Sequence, residues 1–147
     1  MKIRIILAFL IMFMTNKTIL ANDDQNLYDF TFEDIDGNQV NLKKFSGKPI
    51  LIVNTASRCG YTPQYANLQN LFIEYKDSDL TIIATTSNSF YQEYSETEDI
   101  KKICLVNYGV GFVTSSPMDV KGSNAHPMYT WINDKYNKKP KWNFFKF

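Results

Sequence analysis

Two short runs of apolar residues, 49–53 and 80–84, stand out from the amphipathic stretches around them. Their density of apolar side chains is typical of strands buried on both faces, as in a parallel sheet. Between the two runs, apolar residues recur with the spacing of one helix face, at Leu68, Leu71, Phe72 and Tyr75. A strand, a helix and a second buried strand predict a βαβ unit whose two strands run parallel.

The helix of this unit is predicted to follow a turn that contains a cysteine. Thr62 can cap the helix, and Pro63 can occupy its first turn. Cys59 would then lie on the turn between a buried strand and a helix N-terminus. We expect the apolar face of this helix to pack in the core rather than to form a binding groove.

The region before the unit is predicted to form a β-hairpin. Residues 28–33 alternate aromatic with polar or small side chains, as in a strand with one buried face. The dipeptide Asp36-Gly37 is a turn signal, and it leads into a second short strand at residues 39–42. No repeat or interdomain linker follows, so the pattern predicts a single domain.

The region after the unit is predicted to be mainly helical. Ser95 and Glu98 form a capping box that opens a helix with Ile100, Ile103 and Cys104 on one face. The remaining predicted elements are a short helix over roughly residues 126–136 and a final strand over residues 142–147.

The N-terminal segment has the pattern of a secretory signal. A short basic start precedes residues 5–14, which contain no polar side chain, and the next residues turn polar and end at the small Ala21. A membrane-spanning helix would need about 20 apolar residues. We therefore expect residues 1–21 to be a cleaved signal peptide, residues 22–147 to form the domain, and the protein to be exported to the periplasm or secreted, without a stable membrane span. A retained anchor is the alternative.

Composition excludes several classes of function. The chain is 44% apolar and 21% charged, which is typical of a globular domain rather than a disordered one. Its net charge is +1 and no basic block is present, so we do not expect a nucleic acid partner. With one histidine and two cysteines, it has too few nitrogen and sulfur ligands for a structural zinc site. The histidine, His126, precedes Pro127 and is interpreted as a cap or turn residue rather than a base.

Cys59 has the setting of a reactive thiol. The thiolate is the nucleophile, and a thiol with the ordinary pKa of about 8.5 is mostly protonated at pH 7. The free N–H groups and the dipole at a helix N-terminus favour negative charge, and Gly60 permits close approach by a substrate. From position alone, a simple buried cysteine stays equally open. In an exported protein a static disulfide with Cys104 is a further alternative.

Residues 54–65, NTASRCGYTPQY, resemble the NxASxCGxTPQY signature of glutathione peroxidases in their selenium-free, cysteine-containing form. The resemblance covers about residues 28–147 and includes DGNQVNLKKFSGKPILIVN at 36–54, NYGV at 107–110, GSNAHP at 122–127 and WNF at 142–144. It implies an α/β thioredoxin-like fold, with a central mixed β-sheet flanked by helices and an N-terminal β-hairpin. Members of the family continue into a further strand and a closing helix, so we expect the domain at 22–147 to lack these last elements.

The resemblance implies that Cys59 is the peroxidatic cysteine and that Gln92, Trp142 and Asn143 surround its sulfur. Trp142 and Asn143 match the family's Trp-Asn pair directly, whereas Gln92 is assigned from a loop with one residue deleted beside Tyr91. The N–H groups of the three side chains would donate hydrogen bonds to the thiolate and to the departing peroxide oxygen. The implied activity is an antioxidant one, reduction of hydrogen peroxide or organic hydroperoxides in the response to oxidative stress, with no metal or cofactor.

The resemblance also matches Cys104 to the resolving cysteine of two-cysteine family members. Peroxide would leave a sulfenic acid on Cys59, a Cys59–Cys104 disulfide would form, and a thioredoxin-like protein or glutathione would reduce it. A disulfide needs its two Cα atoms within about 4.4–6.8 Å, so we expect the helix that carries Cys104 to open locally. Tetrameric members carry a long insertion where this chain has only residues 137–141, which favours a monomer that uses a thioredoxin-like protein.

Two other functions stay open. An exported thiol-disulfide exchange or binding protein is the first, and the absence of a C-x-x-C pair weakens it. The second is an inactive, truncated homologue. Both predict that peroxide would be consumed no faster than by a variant without Cys59.

Overall fold

A parallel sheet of three strands forms the centre of the protein. The computed structural model describes residues 24–147, so the predicted signal peptide at 1–21 lies outside the described residues. In chain order the elements are β1 (Thr31–Glu33), β2 (Gln39–Asn41), β3 (Ile50–Thr55), α1 (Gln64–Tyr75), β4 (Thr81–Thr86), α2 (Thr97–Lys101), a π-helical segment (Lys102–Asn107), β5 (Val113–Thr114) and α3 (Pro127–Tyr136). Short 3₁₀ turns occupy Leu27–Asp29, Leu42–Phe45 and Lys76–Ser78.

The predicted βαβ unit is confirmed. Strand β3 pairs with β4 in parallel, in a register that runs from Ile50 opposite Thr81 to Thr55 opposite Thr86, and α1 connects the two strands. Every residue of β4 is buried, as its apolar run predicts. Strand β5, which pairs with the other edge of β4, was not predicted. Two residues are too few to give a periodic pattern.

The N-terminal hairpin is also confirmed, although it is shorter than predicted. Strands β1 and β2 pair antiparallel, with Phe32 opposite Val40. Gly37 takes the turn with φ of 87°, a left-handed conformation that glycine adopts without steric cost. Residues 28 and 29, at the start of the predicted strand, belong instead to the 3₁₀ turn Leu27–Asp29, because the Asn26 side chain accepts a hydrogen bond from the Tyr28 N–H and caps the turn.

The two faces of the sheet contribute to two apolar clusters. Val53, Ile82 and Ala84 belong to a cluster that includes both cysteines and residues of α1. Ile52 and Ile83, which point to the opposite face, belong to a cluster with the hairpin and α3. Both cysteine side chains therefore lie on the same side of the sheet as α1.

Two details predicted for α1 are wrong. Thr62 does not cap the helix, which begins at Gln64 after Pro63 without a side-chain cap, because the Thr62 hydroxyl is used within the Cys59 turn. Tyr75 is 43% exposed and does not belong to the buried face, whereas Tyr65 is completely buried. The spacing of apolar residues does not indicate how far along a helix its packing partners extend.

The predicted capping box at Ser95 and Glu98 is also wrong. Helix α2 begins at Thr97, so Glu96 and not Ser95 is its N-cap residue, and no side chain caps it; the Glu96 carbonyl accepts from the N–H groups of Asp99 and Ile100. Ile100 is completely buried, as predicted. His126, by contrast, caps α3 as expected, because its Nδ1 accepts a hydrogen bond from the Met128 N–H.

The C-terminal segment forms a turn and then pairs with β3, rather than forming a strand over its whole length. Phe147 and Ile52 exchange two backbone hydrogen bonds, at 3.1 and 2.9 Å, and Val53 forms an antiparallel bridge with Lys146. Residues 142–144 form the turn, in which Phe144 has φ of 62°, so the strand predicted at 142–147 is wrong for its first half. This antiparallel pairing beside parallel strands gives the sheet the mixed character that was expected.

No helix described between residues 24 and 147 has the length and apolar character needed to span a membrane.

Candidate active site

Cys59 lies on the turn between β3 and α1, and its side chain is nearly buried, with 7% of its surface exposed. Its Sγ accepts a hydrogen bond from the Tyr61 backbone N–H at 3.3 Å. A donor of this kind stabilises negative charge that develops on the sulfur. Thr62 holds the turn in shape, because its Oγ1 accepts from the Cys59 N–H at 3.1 Å and donates to the Ala56 carbonyl at 2.8 Å.

Gln92 and Asn143, two of the predicted site residues, meet beside this turn. The Asn143 Nδ2 donates to the Gln92 Oε1 at 3.0 Å, across 51 positions of the chain. The backbone carbonyl of Gln92 accepts from the N–H of Arg58, the residue before Cys59, at 2.9 Å. The structure thus brings the loop that carries Gln92 and the segment that carries Asn143 to the Cys59 turn.

Trp142, the third predicted partner, stands at the edge of this group. Its side chain is 45% exposed, and its ring centroid lies 5.2 Å from that of Phe90. The recorded hydrogen bond to the Cys59 sulfur comes from Tyr61, while the Asn143 amide is engaged with Gln92. Donation from Gln92, Trp142 and Asn143 to the thiolate therefore stays a prediction.

Asn54, the last but one residue of β3, fixes the position of the Trp142-Asn143 segment. Its side chain is completely buried; Nδ2 donates to the Trp142 carbonyl at 3.1 Å, and Oδ1 accepts from the Phe145 N–H at 3.1 Å. Its backbone carbonyl also accepts from the Phe144 N–H at 2.6 Å. Sequence reasoning assigned Asn54 no role, although a polar residue that closes an apolar strand was a visible signal.

Strained backbone lies next to two of the site residues. Tyr91 has φ of 61° and Phe144 has φ of 62°, so the residue before Gln92 and the residue after Asn143 are both left-handed. Such a conformation costs a bulky residue about 1–3 kcal/mol, and it persists where surrounding contacts impose it. Tyr91 stands beside the deletion that the sequence comparison placed in this loop, and its side chain is 89% exposed.

Cys104 is completely buried and lies in the π-helical segment that continues α2. At the end of the segment, hydrogen bonds span more residues than the four of an α-helix. The Tyr108 N–H donates to the Ile103 carbonyl, five residues back, at 3.3 Å, and the Val110 N–H donates to the Cys104 carbonyl, six residues back, at 3.1 Å. Burial raises the pKa of Cys104 to about 11. Cys59 and Cys104 are both free thiols in the described part of the chain and share one apolar cluster. The local opening expected of this helix stays a prediction.

Glu93 is a buried carboxyl that sequence reasoning did not single out. Its Oε1 accepts from the Ser57 N–H at 3.0 Å and from the Tyr94 N–H at 2.9 Å, so it links the Cys59 turn to the Gln92 loop. Its Oε2 is buried without a hydrogen-bond partner among residues 24–147. Burial raises the pKa of Glu93, although the neighbouring Ser57 side chain and the two N–H groups stabilise its charged form. Its position directly after Gln92 was the only signal.

Within the described range, no cluster of His, Cys, Asp and Glu side chains is arranged to hold a metal ion. The chemistry that the described residues can support is that of a thiol held among hydrogen-bond donors.

Comparison with known proteins gives concordant matches. The family model for glutathione peroxidase matches residues 27–133. The chain is 41% identical over 128 residues to the glutathione peroxidase homolog BsaA of Staphylococcus epidermidis, a match that covers 84% of this chain and 81% of that protein. It is 39% identical over 127 residues to the glutathione peroxidase-like peroxiredoxin gpx1 of Schizosaccharomyces pombe, covering 83% of this chain and 80% of that protein.

Solved structures agree with the sequence matches. The crystal structure of T. cruzi GPX1 superposes with a TM-score of 0.62 at 29% identity, over 84% of this chain and 78% of that chain. This match confirms the predicted α/β thioredoxin-like fold.

Proposed function

The chain belongs to the glutathione peroxidase family and is a peroxidase, and we propose that it reduces hydrogen peroxide or organic hydroperoxides through the Cys59 thiolate. One observation carries this proposal furthest. Two segments far apart in the chain bring Gln92 and Asn143 into hydrogen-bond contact at the turn that holds Cys59. A buried cysteine with a purely structural role would not need this arrangement.

In the first step, the thiolate attacks one oxygen of the peroxide, and the O–O bond breaks. The other oxygen takes up a proton and leaves as water or an alcohol, while Cys59 becomes a sulfenic acid. The Tyr61 N–H stabilises the sulfur before attack. Because Gln92 Oε1 accepts from Asn143, the Nε2 group of Gln92 is left as a donor for the departing oxygen.

In the second step, Cys104 attacks the sulfenic acid and forms a disulfide with Cys59. The location of both cysteines in one apolar cluster supports this pairing. Cys104 leaves no need for glutathione to resolve the sulfenic acid, and we propose a thioredoxin-like protein, which supplies two thiols, as the reductant of the disulfide. The S. pombe relative is named a peroxiredoxin, which is consistent with a thiol-based cycle.

We propose in addition that the mature protein is an exported monomer. The proposal rests on the apolar segment 5–14 followed by Ala21, and on the short segment 137–141. An exported enzyme needs a reductant outside the cytoplasm, so its thioredoxin-like partner would be an exported or membrane-anchored one.

Peroxide consumption by the purified, reduced protein tests the function. We expect loss of both thiols in one turnover, an intramolecular disulfide in the peptide map, and continuous turnover once thioredoxin and its reductase are added. Cys59→Ser should remove all of these signals, whereas Cys104→Ser should keep the first oxidation and lose the disulfide. Consumption equal to that of Cys59→Ser would instead identify an inactive homologue, and reduction of a disulfide substrate without peroxide would identify an exchange protein.

A further inference from the structure

Cys104 is poorly suited to resolve a sulfenic acid without help. Attack requires its thiolate, but the side chain is completely buried, and burial raises the pKa of Cys104 to about 11. At neutral pH about one such thiol in ten thousand would be ionised. A group that removes the proton during attack would overcome this limit.

Glu93 lies where such a group is needed. Its side chain is 5% exposed, and its Oε1 is held by the N–H groups of Ser57 and Tyr94 at 3.0 and 2.9 Å. Ser57 lies two residues before Cys59 on the same turn. Glu93 therefore binds the turn that Cys104 must reach to form a bond with the Cys59 sulfur.

The second oxygen of this carboxyl is available to bind a proton. Oε2 is buried and has no hydrogen-bond partner among residues 24–147, while the neighbouring Ser57 side chain stabilises the charged form of the carboxyl. A buried carboxylate oxygen left unpartnered is costly, and a proton on it removes that cost. The charge of Glu93 already acts on Cys104, since it contributes to the raised pKa of that thiol.

We propose that Glu93 is the base that accepts the Cys104 proton when the Cys59–Cys104 disulfide forms, an inference that rests on the thiol peroxidase function proposed above. The sulfur of Cys104 attacks the sulfur of Cys59, its S–H proton passes to Glu93 Oε2, and the S–O bond of the sulfenic acid breaks. The leaving hydroxide takes the proton from Glu93 and departs as water. Atoms and charge balance without a further reactant.

Other titratable groups near Glu93 are less suited to this role. Tyr65 of α1 faces both Glu93 and Cys104, but burial raises its pKa far above the neutral range, so it would not exist as a base. Lys101 of α2 is positively charged, acts on Cys104 by stabilising its thiolate, and pairs with Asp36 at 3.0 Å. Arg58, which stacks on Tyr94, is likewise a permanent cation.

The test separates the two oxidation steps in a single turnover. Glu93→Gln keeps an acceptor for the Ser57 and Tyr94 N–H groups but cannot take a proton. Peroxide is mixed with the reduced protein, Cys59 sulfenic acid is trapped with a dimedone-type reagent, and disulfide formation is followed by quenching and mass spectrometry. We expect Glu93→Gln to form the sulfenic acid within about twofold of the wild-type rate and to form the disulfide about a hundredfold more slowly.

The pH dependence gives a readout that a merely structural role would not produce. In the wild type, disulfide formation should rise with pH until Glu93 is ionised, above its ordinary pKa of 4.5 because burial raises it, and then level off to a flat profile well before the pKa of Cys104. In Glu93→Gln it should increase about tenfold per pH unit towards the pKa of Cys104, because only ionised thiol reacts. Tyr65→Phe is the matched control, since it removes a neighbouring buried hydroxyl and should leave the flat profile unchanged.

The outcomes distinguish this inference from the function on which it rests. Absence of both sulfenic acid and disulfide in the wild type after peroxide is added would overturn the proposed function, whereas an unchanged disulfide rate in Glu93→Gln would overturn only the role of Glu93. If the pH dependence of disulfide formation changed in Tyr65→Phe and stayed like that of the wild type in Glu93→Gln, the base would be Tyr65 and not Glu93. If Glu93→Gln fails to fold, the wild-type profile alone decides, because a rate that keeps rising tenfold per pH unit up to the pKa of Cys104, with no plateau below it, would exclude a buried carboxylate base.

Discussion

Replacement of Asn54 by alanine should damage the site from a distance, because this residue holds the Trp142-Asn143 segment against β3. The Asn54 side chain makes two hydrogen bonds, to the Trp142 carbonyl and from the Phe145 N–H, each at 3.1 Å. Asn54 is completely buried, so Asn54→Ala would leave the Trp142 carbonyl and the Phe145 N–H without these hydrogen-bond partners. Each buried group that loses its partner costs about 1–3 kcal/mol, so with two such groups we expect the free energy of unfolding to fall by about 2–6 kcal/mol.

The same substitution should slow the oxidation of Cys59. Asn143 and Gln92 are in contact, so displacement of the Trp142-Asn143 segment also removes the partner that orients the Gln92 amide. Misplacement of a catalytic donor by about 1 Å can cost about a hundredfold in rate, and we expect a loss of at least about tenfold. Urea denaturation followed by circular dichroism measures the stability, and rapid mixing with peroxide followed by thiol titration measures the rate.

Val40→Ala is the matched control for Asn54→Ala. Val40 is buried in the N-terminal hairpin, in the apolar cluster that does not contain the cysteines, and its truncation should cost about 2 kcal/mol. The control should keep the wild-type rate of Cys59 oxidation within about twofold. An Asn54→Ala protein that loses less than about 0.5 kcal/mol of stability, or one whose oxidation rate matches that of Val40→Ala, would refute this role of Asn54.

Three further measurements test other features of the molecule. The free energy of unfolding should fall as pH rises from 9.0 towards about 11. Burial raises the pKa of Cys104 to about 11, so over this window the thiol ionises in the unfolded chain while the folded protein still holds it neutral. Denaturation followed by circular dichroism should show a shallower fall in Cys104→Ala. Tyr65 and Tyr129, whose pKa values burial also raises, add to the loss from pH 10.0 upwards in both proteins, so the difference between the two proteins is clearest between pH 9.0 and 10.0. Tyr91→Gly should raise the free energy of unfolding by about 1 kcal/mol, because glycine adopts the positive φ at this exposed position without strain, whereas Tyr91→Ala should bring no such gain. Mass spectrometry of the protein recovered from outside the cytoplasm should give an N-terminus at Asn22, and recovery of the intact chain from the membrane fraction would support a retained anchor instead.

The elements with a strong local pattern were predicted well. The dense apolar runs identified β3 and β4, and the helical spacing of Leu68, Leu71 and Phe72 identified α1, because each of these elements buries side chains in a way its own residues encode. Element ends were predicted less well. The predicted Ser95 cap was wrong because α2 begins one residue later, with Glu96 at its N-cap. The predicted Thr62 cap was wrong because the Thr62 hydroxyl binds the backbone of the Cys59 turn instead.

The sequence by itself determined that this chain has a parallel βαβ unit with Cys59 on the turn after its first strand, and the family resemblance named Gln92, Trp142, Asn143 and Cys104. Only the tertiary structure decided that Asn143 binds Gln92, that Asn54 holds the C-terminal segment, and that Glu93 lies buried beneath the Cys59 turn. These contacts join residues 36 to 91 positions apart. Local patterns record which side chains a residue's own helix or strand must bury, whereas such contacts depend on how separate segments approach one another once the sheet has formed.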